Sequence, residues 1–269
     1  MVEIAPAVVG LIVGVVVGLT STGGGALLTP ALVLVLGVPA SAAIGSDVLI
    51  ASVMKFFGGG FYALRREVHW PTVLRLAVGS IPGAGVGVAL LNRLAVDEID
   101  TILQRSLGAV LVVAGAATLA RLLVKGRSDR VSTMPRWPAT VALGFGTGVL
   151  VATTSVGSGS LLLCVLTCFF PLGPATMVGT DLVHALFLST AATVGHLAAG
   201  RVNVPLAASV LVGAVPGVIL GARFASGMPE RALRAVLAVL LIGIGVSLAL
   251  LGAGPTHPAA ALAVVGAGR

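Results

Sequence analysis

Charge is what this chain has least of. Only 9% of its 269 residues are Asp, Glu, Lys or Arg, against roughly 25% in soluble domains, while 57% are hydrophobic and the mean hydropathy is +1.13. So few charges could not cover a water-facing surface, which excludes a soluble globular domain and leaves an integral membrane protein. Cysteine is nearly absent: Cys164 and Cys168 share one apolar segment at helical spacing, which is neither a disulfide framework nor a zinc signature and reads as small packing residues. The four histidines, His69, His184, His196 and His257, show no spacing that pairs a nucleophile with a base or gathers a metal cluster. No enzyme, metal or cofactor is therefore expected. The formal charge of +7 would suit nucleic acid, but the sixteen Lys and Arg are spread through short loops and one linker, so they read as topology signals and no nucleic-acid partner is expected. The chain opens Met-Val-Glu-Ile, without the basic region and cleavage site of a secretory signal, and the first apolar stretch is expected to stay.

What the chain does have is a duplication. An ungapped shift of 134 residues pairs Gly14 with Gly148, Ser21 with Ser155, Gly23 with Gly157, Gly25 with Gly159, Gly45 with Gly179 and Asp47 with Asp181. The same shift pairs Pro71 with Pro205, Gly79 with Gly213, Pro82 with Pro216 and Gly83 with Gly217. The expected fold is an all-α polytopic membrane protein of two tandem structural repeats. The divisions are 1–124 for the first repeat, 125–137 for a cytoplasmic basic linker, 138–252 for the second repeat and 253–269 for an apolar tail too short to span.

Apolar runs cover 4–19, 26–36, 42–64, 73–91 and 102–124, and again 139–152, 160–170, 175–199, 206–225 and 232–251. At about 1.5 Å per residue the last three of each copy can cross a hydrocarbon core of roughly 30 Å, and the first two cannot. The short runs are separated by Thr20-Ser-Thr-Gly-Gly-Gly25 and Thr153-Thr-Ser-Val-Gly-Ser-Gly159, where glycine and hydroxyl residues stop a helix at membrane depth. Each pair is either one broken spanning helix, with four crossings per unit and parallel repeats, or a re-entrant hairpin, with three crossings and inverted repeats. The basic linker at 121–136 belongs in the cytoplasm, with Arg65 and Arg66 on the same side and an acidic loop of Asp97, Glu98 and Asp100 outside. Inversion then places Arg223, Arg231 and Arg234 inside and Arg201 outside, so the positive-inside bias favours the inverted pair.

A helix restarting at mid-membrane aims unpaired backbone N–H groups and a partial positive charge at whatever lies before it. Restarts near Gly25 and Gly159 allow close backbone approach, and Ser21, Thr22, Ser155 and Ser158 add hydroxyl donors, which suits a compact oxyanion. Gly23, Gly24 and Gly157 complete this shell. Such runs also serve plain helix packing and N-capping, but finding the break twice at one repeat position favours a site. Asp47 and Asp181 read either as acids in a first helical turn or as protonatable carboxylates coupling transport to protons. His184, three residues beyond Asp181, could relay a proton with it, and Ile50 replaces it in the first copy. Lys55 either snorkels towards Arg65 or faces a cavity and, with His184, supplies positive charge to the site. The Pro82-Gly83 and Pro216-Gly217 pairs are assigned to packing and hinging.

The run Gly18-Leu-Thr-Ser-Thr-Gly-Gly-Gly-Ala-Leu-Leu-Thr-Pro30, followed by Gly37-Val-Pro and Ala43-Ile-Gly-Ser, resembles the TauE/SafE sulfite exporter family of membrane permeases. In the second copy Ser155-Val-Gly-Ser-Gly-Ser-Leu-Leu keeps the spacing, although Cys164 stands where the first copy has Pro30. The resemblance implies a bacterial inner-membrane, multi-pass carrier. It exports, or sometimes imports, small sulfur anions such as sulfite, thiosulfate or sulfoacetate. The expected function is secondary transport of such an anion by alternating access, with proton coupling through Asp47 and Asp181; a channel-like anion pore is the alternative. The expected partners are that anion and the lipid bilayer. A homodimer is left open, since no face declares itself an interface.

Overall fold

The computed structural model describes residues 4–20, 25–93, 96–123, 134–156, 159, 162–163, 166, 169–225 and 230–251. Every regular element among them is helical: α1 (Ile4–Thr20), α2 (Gly25–Leu34), α3 (Ala40–Leu64), α4 (Trp70–Asn92), α5 (Val96–Leu123), α6 (Trp137–Thr154), α7 (Pro174–Ala198), α8 (Val204–Ala225) and α9 (Glu230–Leu251). Further helical positions at Leu162, Leu163, Leu166 and Phe169 lie between α6 and α7. Six of the described helices are long and apolar enough to cross a membrane. The tail at 253–269, His257, Cys164 and Cys168 lie outside the described residues.

Two sequence expectations change here. Asp97, Glu98 and Asp100 are not a loop but the opening of α5, where acidic residues suit the positive end of the helix dipole. The run 139–152 looked too short to span, yet α6 has 18 residues. Pro138 enters at the first turn, where its missing N–H costs nothing. At the other end Thr153 and Thr154 return their hydroxyls to the carbonyls of Val149 (2.9 Å) and Leu150 (2.7 Å), so the polar end stays satisfied inside apolar surroundings.

Helices pack through glycine. A Cβ at Gly10 would strike the Val210 carbonyl, and one at Gly144 the Leu76 carbonyl, which is the same contact moved by 134 residues with the halves exchanged. Gly79 against Val141 and Gly213 against Ala7 form another such couple, as do Gly83 against Phe145 and Gly217 against Leu11. These contacts fix direction. α1 runs with α8 and α4 runs with α6, since their contacts advance together along both chains. α3 runs against α7, and α5 against α9: Gly59 meets Val183 while Lys55 meets Ser189, and Gly108 meets Ala249 while Gly115 meets Ile242. Each long helix of the first half thus lies antiparallel to its counterpart wherever the two touch.

Backbone this close leaves no room for a methyl group. Gly213→Ala is expected to cost roughly 1–3 kcal/mol by forcing α1 and α8 apart. Gly85→Ala, at an α4 position with open space around it, should be neutral or stabilising by about 0.5–1 kcal/mol. Thermal unfolding of the two purified variants checks the contrast, and equal melting temperatures would refute it.

Candidate functional site

Each copy carries the triplet Gly-Ser/Thr-Asp, and the structure gives each member a task. Gly45 lets the Arg201 carbonyl come against α3, and Gly179 lets the Glu67 carbonyl come against α7. The neighbouring hydroxyls catch the same loops: Asn203 N–H donates to Ser46 Oγ (3.0 Å) and His69 N–H to Thr180 Oγ1 (2.9 Å). These ties fix the rotation of α3 and α7 so that the next residue, Asp47 or Asp181, turns into the protein. Each aspartate is the eighth residue of its helix, two turns in, so neither acts as a first-turn acid. Both are buried, at 0% and 4% exposure.

Their surroundings differ. Asp47 Oδ2 accepts hydrogen bonds from Thr29 Oγ1 of α2 and from Ser155 Oγ (2.9 Å) just after α6. Ser155 closes α6 in the left-handed conformation, with φ of 57°, and its N–H donates to the Val151 carbonyl (2.7 Å). A non-glycine residue held there is strained, and that conformation leads the chain out of α6 at the residue whose hydroxyl meets Asp47. Oδ1 of each aspartate makes no hydrogen bond, and at Asp181 Leu163 holds the repeat position of Thr29.

Lys55 is 4% exposed, so it does not snorkel. Its Nζ donates to Ser189 Oγ (3.3 Å), and its ammonium lies in the field of Asp181 first and Asp47 second. Lys55 and Ser189 occupy the same position in the two copies. His184 is fully buried, and its Nε2 hydrogen-bonds Ser80 Oγ of α4 (2.9 Å), while Nδ1 has no partner. His196, also buried, is packed with Nε2 on the Ala152 carbonyl (2.8 Å).

Among the glycine and hydroxyl residues singled out from sequence, Ser21, Thr22, Gly23, Gly24, Gly157 and Ser158 lie outside the described residues. Gly25 begins α2, and Gly159 is a buried turn residue with φ of 132°, a conformation that favours glycine. Around these breaks Val17, Ala26, Leu27 and Val156 share one apolar cluster with Leu107, Leu111 and Leu241 of α5 and α9. A cavity of about 260 Å³ lies nearby against Val16, Leu27, Pro30, Leu34 and Ile244, and a lining so apolar does not suit an ion. The polar centre of the described protein is therefore the Asp47, Lys55, Asp181 and His184 group where α3 crosses α7.

Sequence reasoning missed Thr29, Ser80 and Ser189. Ser189 was open to discovery as the repeat partner of Lys55, whereas Thr29 and Ser80 carry no spacing signal and depend on tertiary contact.

An assembly of buried ionisable groups on apolar, membrane-length helices is what solute carriers place at mid-bilayer. The family described as Sulfite exporter TauE/SafE matches residues 7–248. The chain belongs to the TauE/SafE family. It is 35% identical over 246 residues to the Probable membrane transporter protein YjnA of Bacillus subtilis (strain 168), covering 89% of this chain and 96% of that one. It is 26% identical over 230 residues to the Probable membrane transporter protein YdhB of the same organism, covering 84% and 91%. A Probable membrane transporter protein of Xylella fastidiosa (strain Temecula1 / ATCC 700964) matches 104 residues at 31% identity, 39% of each chain. No solved structure matches. This TauE/SafE protein is accordingly a multi-pass membrane protein of a transporter family.

Thr29→Val keeps the shape of the side chain and removes one of the two donors on Asp47. It is expected to lower stability by roughly 1–3 kcal/mol, the cost of a buried acceptor losing a partner. Leu163→Ala serves as a comparison that removes bulk without a hydroxyl. Unchanged thermal unfolding of Thr29→Val would show that the hydroxyl contributes nothing.

Proposed function

We propose that the protein is a secondary transporter that exports a small sulfur oxyanion, sulfite or a related organosulfonate, across the bacterial inner membrane by alternating access. The observation that carries this reading is Lys55: an ammonium buried among apolar helices, touching its own repeat counterpart where α3 crosses α7. A charge in that place is costly unless it has a task, and an anion is the solute it would hold. The family's description supplies the sulfur anion and the outward direction.

The antiparallel register of α3 with α7 and of α5 with α9 supports two inverted repeats, each a broken helix pair followed by three long helices. The axis exchanging them would lie in the membrane plane and pass beside Lys55 and Ser189. Rocking of one repeat on the other would then open the centre to each side in turn. Gly25 and Gly159, with the hydroxyl and glycine positions around them, would bring backbone donors to the anion, and His184 would face it from α7. Coupling protons would be handled at the Asp47 and Asp181 pair.

Counterflow into proteoliposomes preloaded with sulfite, thiosulfate or sulfoacetate tests the carrier. Acceleration by anion on the far side is expected, whereas uptake without it would mark a pore. Lys55→Ala should weaken anion binding about tenfold or more, the value of a charge-assisted hydrogen bond. Gly25→Leu should abolish uptake in a folded protein. Unaltered affinity in Lys55→Ala would remove the ammonium from the site.

A further inference from the structure

We infer that the two repeat-related aspartates have divided their work: Asp181 alone takes up a proton when an anion binds at Lys55, and Asp47 is a fixed clamp. This rests on the anion site proposed above and deepens it. Duplication made the two positions equal, and later divergence made them different. Asp47 has Thr29 and Ser155 as hydroxyl donors on one oxygen, so its charge is held by hydrogen bonds from α2 and from the end of α6. Each aspartate keeps one oxygen without a hydrogen bond and each feels Lys55, but Asp181 has Leu163 where Asp47 has Thr29, and among the described residues no side-chain hydroxyl donates to it. The other groups around α7 do not replace Lys55. His184 is turned to Ser80, and α4 carries one ionisable side chain, Arg75. α6 carries none, and Asp47 lies on the α3 side with Lys55.

The step follows from charge balance. Before binding, two carboxylates and one ammonium share a buried centre. An incoming anion draws the Lys55 ammonium to itself and adds negative charge, and Asp181 loses the countercharge that compensated it. An uncompensated buried carboxylate is costly in low dielectric. A hydronium ion gives one proton to the Asp181 carboxylate: one O–H bond of hydronium breaks, the O–H bond of the carboxylic acid forms, and water is left. Asp47 keeps its two donors throughout. Each anion is therefore held at this site together with one proton.

The probe is thiosulfate, whose own charge is constant between about pH 5 and about pH 8, so any pH dependence belongs to the protein. Calorimetry in buffers of different ionisation enthalpy counts protons. The expected count is about one proton taken up per anion in the wild type, with affinity rising up to about tenfold per pH unit lost. Asp181→Asn should bind with no proton uptake and a flat pH profile, and Asp47→Asn should bind more weakly with the uptake retained. Infrared difference spectra on adding thiosulfate should show a protonated carboxyl band, displaced in Asp181→Glu. Binding without proton uptake in the wild type, uptake persisting in Asp181→Asn, or uptake lost in Asp47→Asn would each overturn the division while leaving the anion site standing. Failure of sulfite, sulfate, thiosulfate and sulfoacetate alike to bind the wild type would instead remove the anion site, and the coupling with it. Should the asparagine variants not fold, the wild-type proton count and the infrared band decide alone.

Discussion

A lysine ammonium in the interior of an apolar helical bundle is the constraint around which the protein is arranged. Isolated in hydrocarbon, that charge would be far too costly to keep, and the partners that make it tolerable come from both halves of the chain. Asp47 shares α3 with it, while Asp181 and Ser189 come from α7 in the other half of the chain. Neither half could hold Lys55 alone. The two copies are thus bound to each other at their most polar point, and the helix crossing there is required by electrostatics as well as by packing.

That crossing depends on glycine at a distance from it. α3 and α7 reach each other because Gly59 admits Val183, and their rotation is fixed by loops that Gly45 and Gly179 allow to come close. On the flanks, α1 with α8 and α4 with α6 approach until backbone meets backbone. In lipid there is no hydrophobic gain from bringing helices together, so close van der Waals contact is the main attraction available. Glycines at these contacts, such as Gly10, Gly79, Gly83 and Gly213, are therefore a means of association in a chain with few charges and few hydrogen-bonding side chains to spend on it.

Much of this was legible in the sequence because glycine and duplication leave periodic traces. The all-helical membrane class, a helix starting at Gly25, and the packing role of the Pro82-Gly83 and Pro216-Gly217 segments could be read from residue order. Asp47, Asp181, Lys55 and His184 were visible as rare ionisable residues in apolar runs. What could not be read was register between helices. Asp47 and Asp181 allowed a first-turn reading until α3 and α7 were seen to begin seven residues earlier, and the acids at 97–100 looked like a loop because charge marks helix starts and loops alike. Thr29, Ser80 and Ser189 are single hydroxyls in apolar helices. Such residues often only return a bond to their own helix, as Thr118 does to Ala114, and nothing local separates the two cases.

The repeat also separates scaffold from chemistry. The positions that retain identity or class across the 134-residue shift are those that set backbone distances: Gly45 and Gly179, Ser46 and Thr180, Gly79 and Gly213, Gly83 and Gly217. At the centre the two aspartates are the same, but several of their neighbours differ: Thr29 against Leu163, Lys55 against Ser189, Ile50 against His184, Ala214 against Ser80. A purely structural centre would have no reason to diverge there, since two equal halves meeting at an axis are served by equal residues. A single solute held between them is different, because one small ion cannot present the same face to both halves. Donors for such an ion would come more from one side than the other, and Lys55 on α3, facing on α7 an aspartate that has Leu163 in place of Thr29, has the form of such an asymmetry.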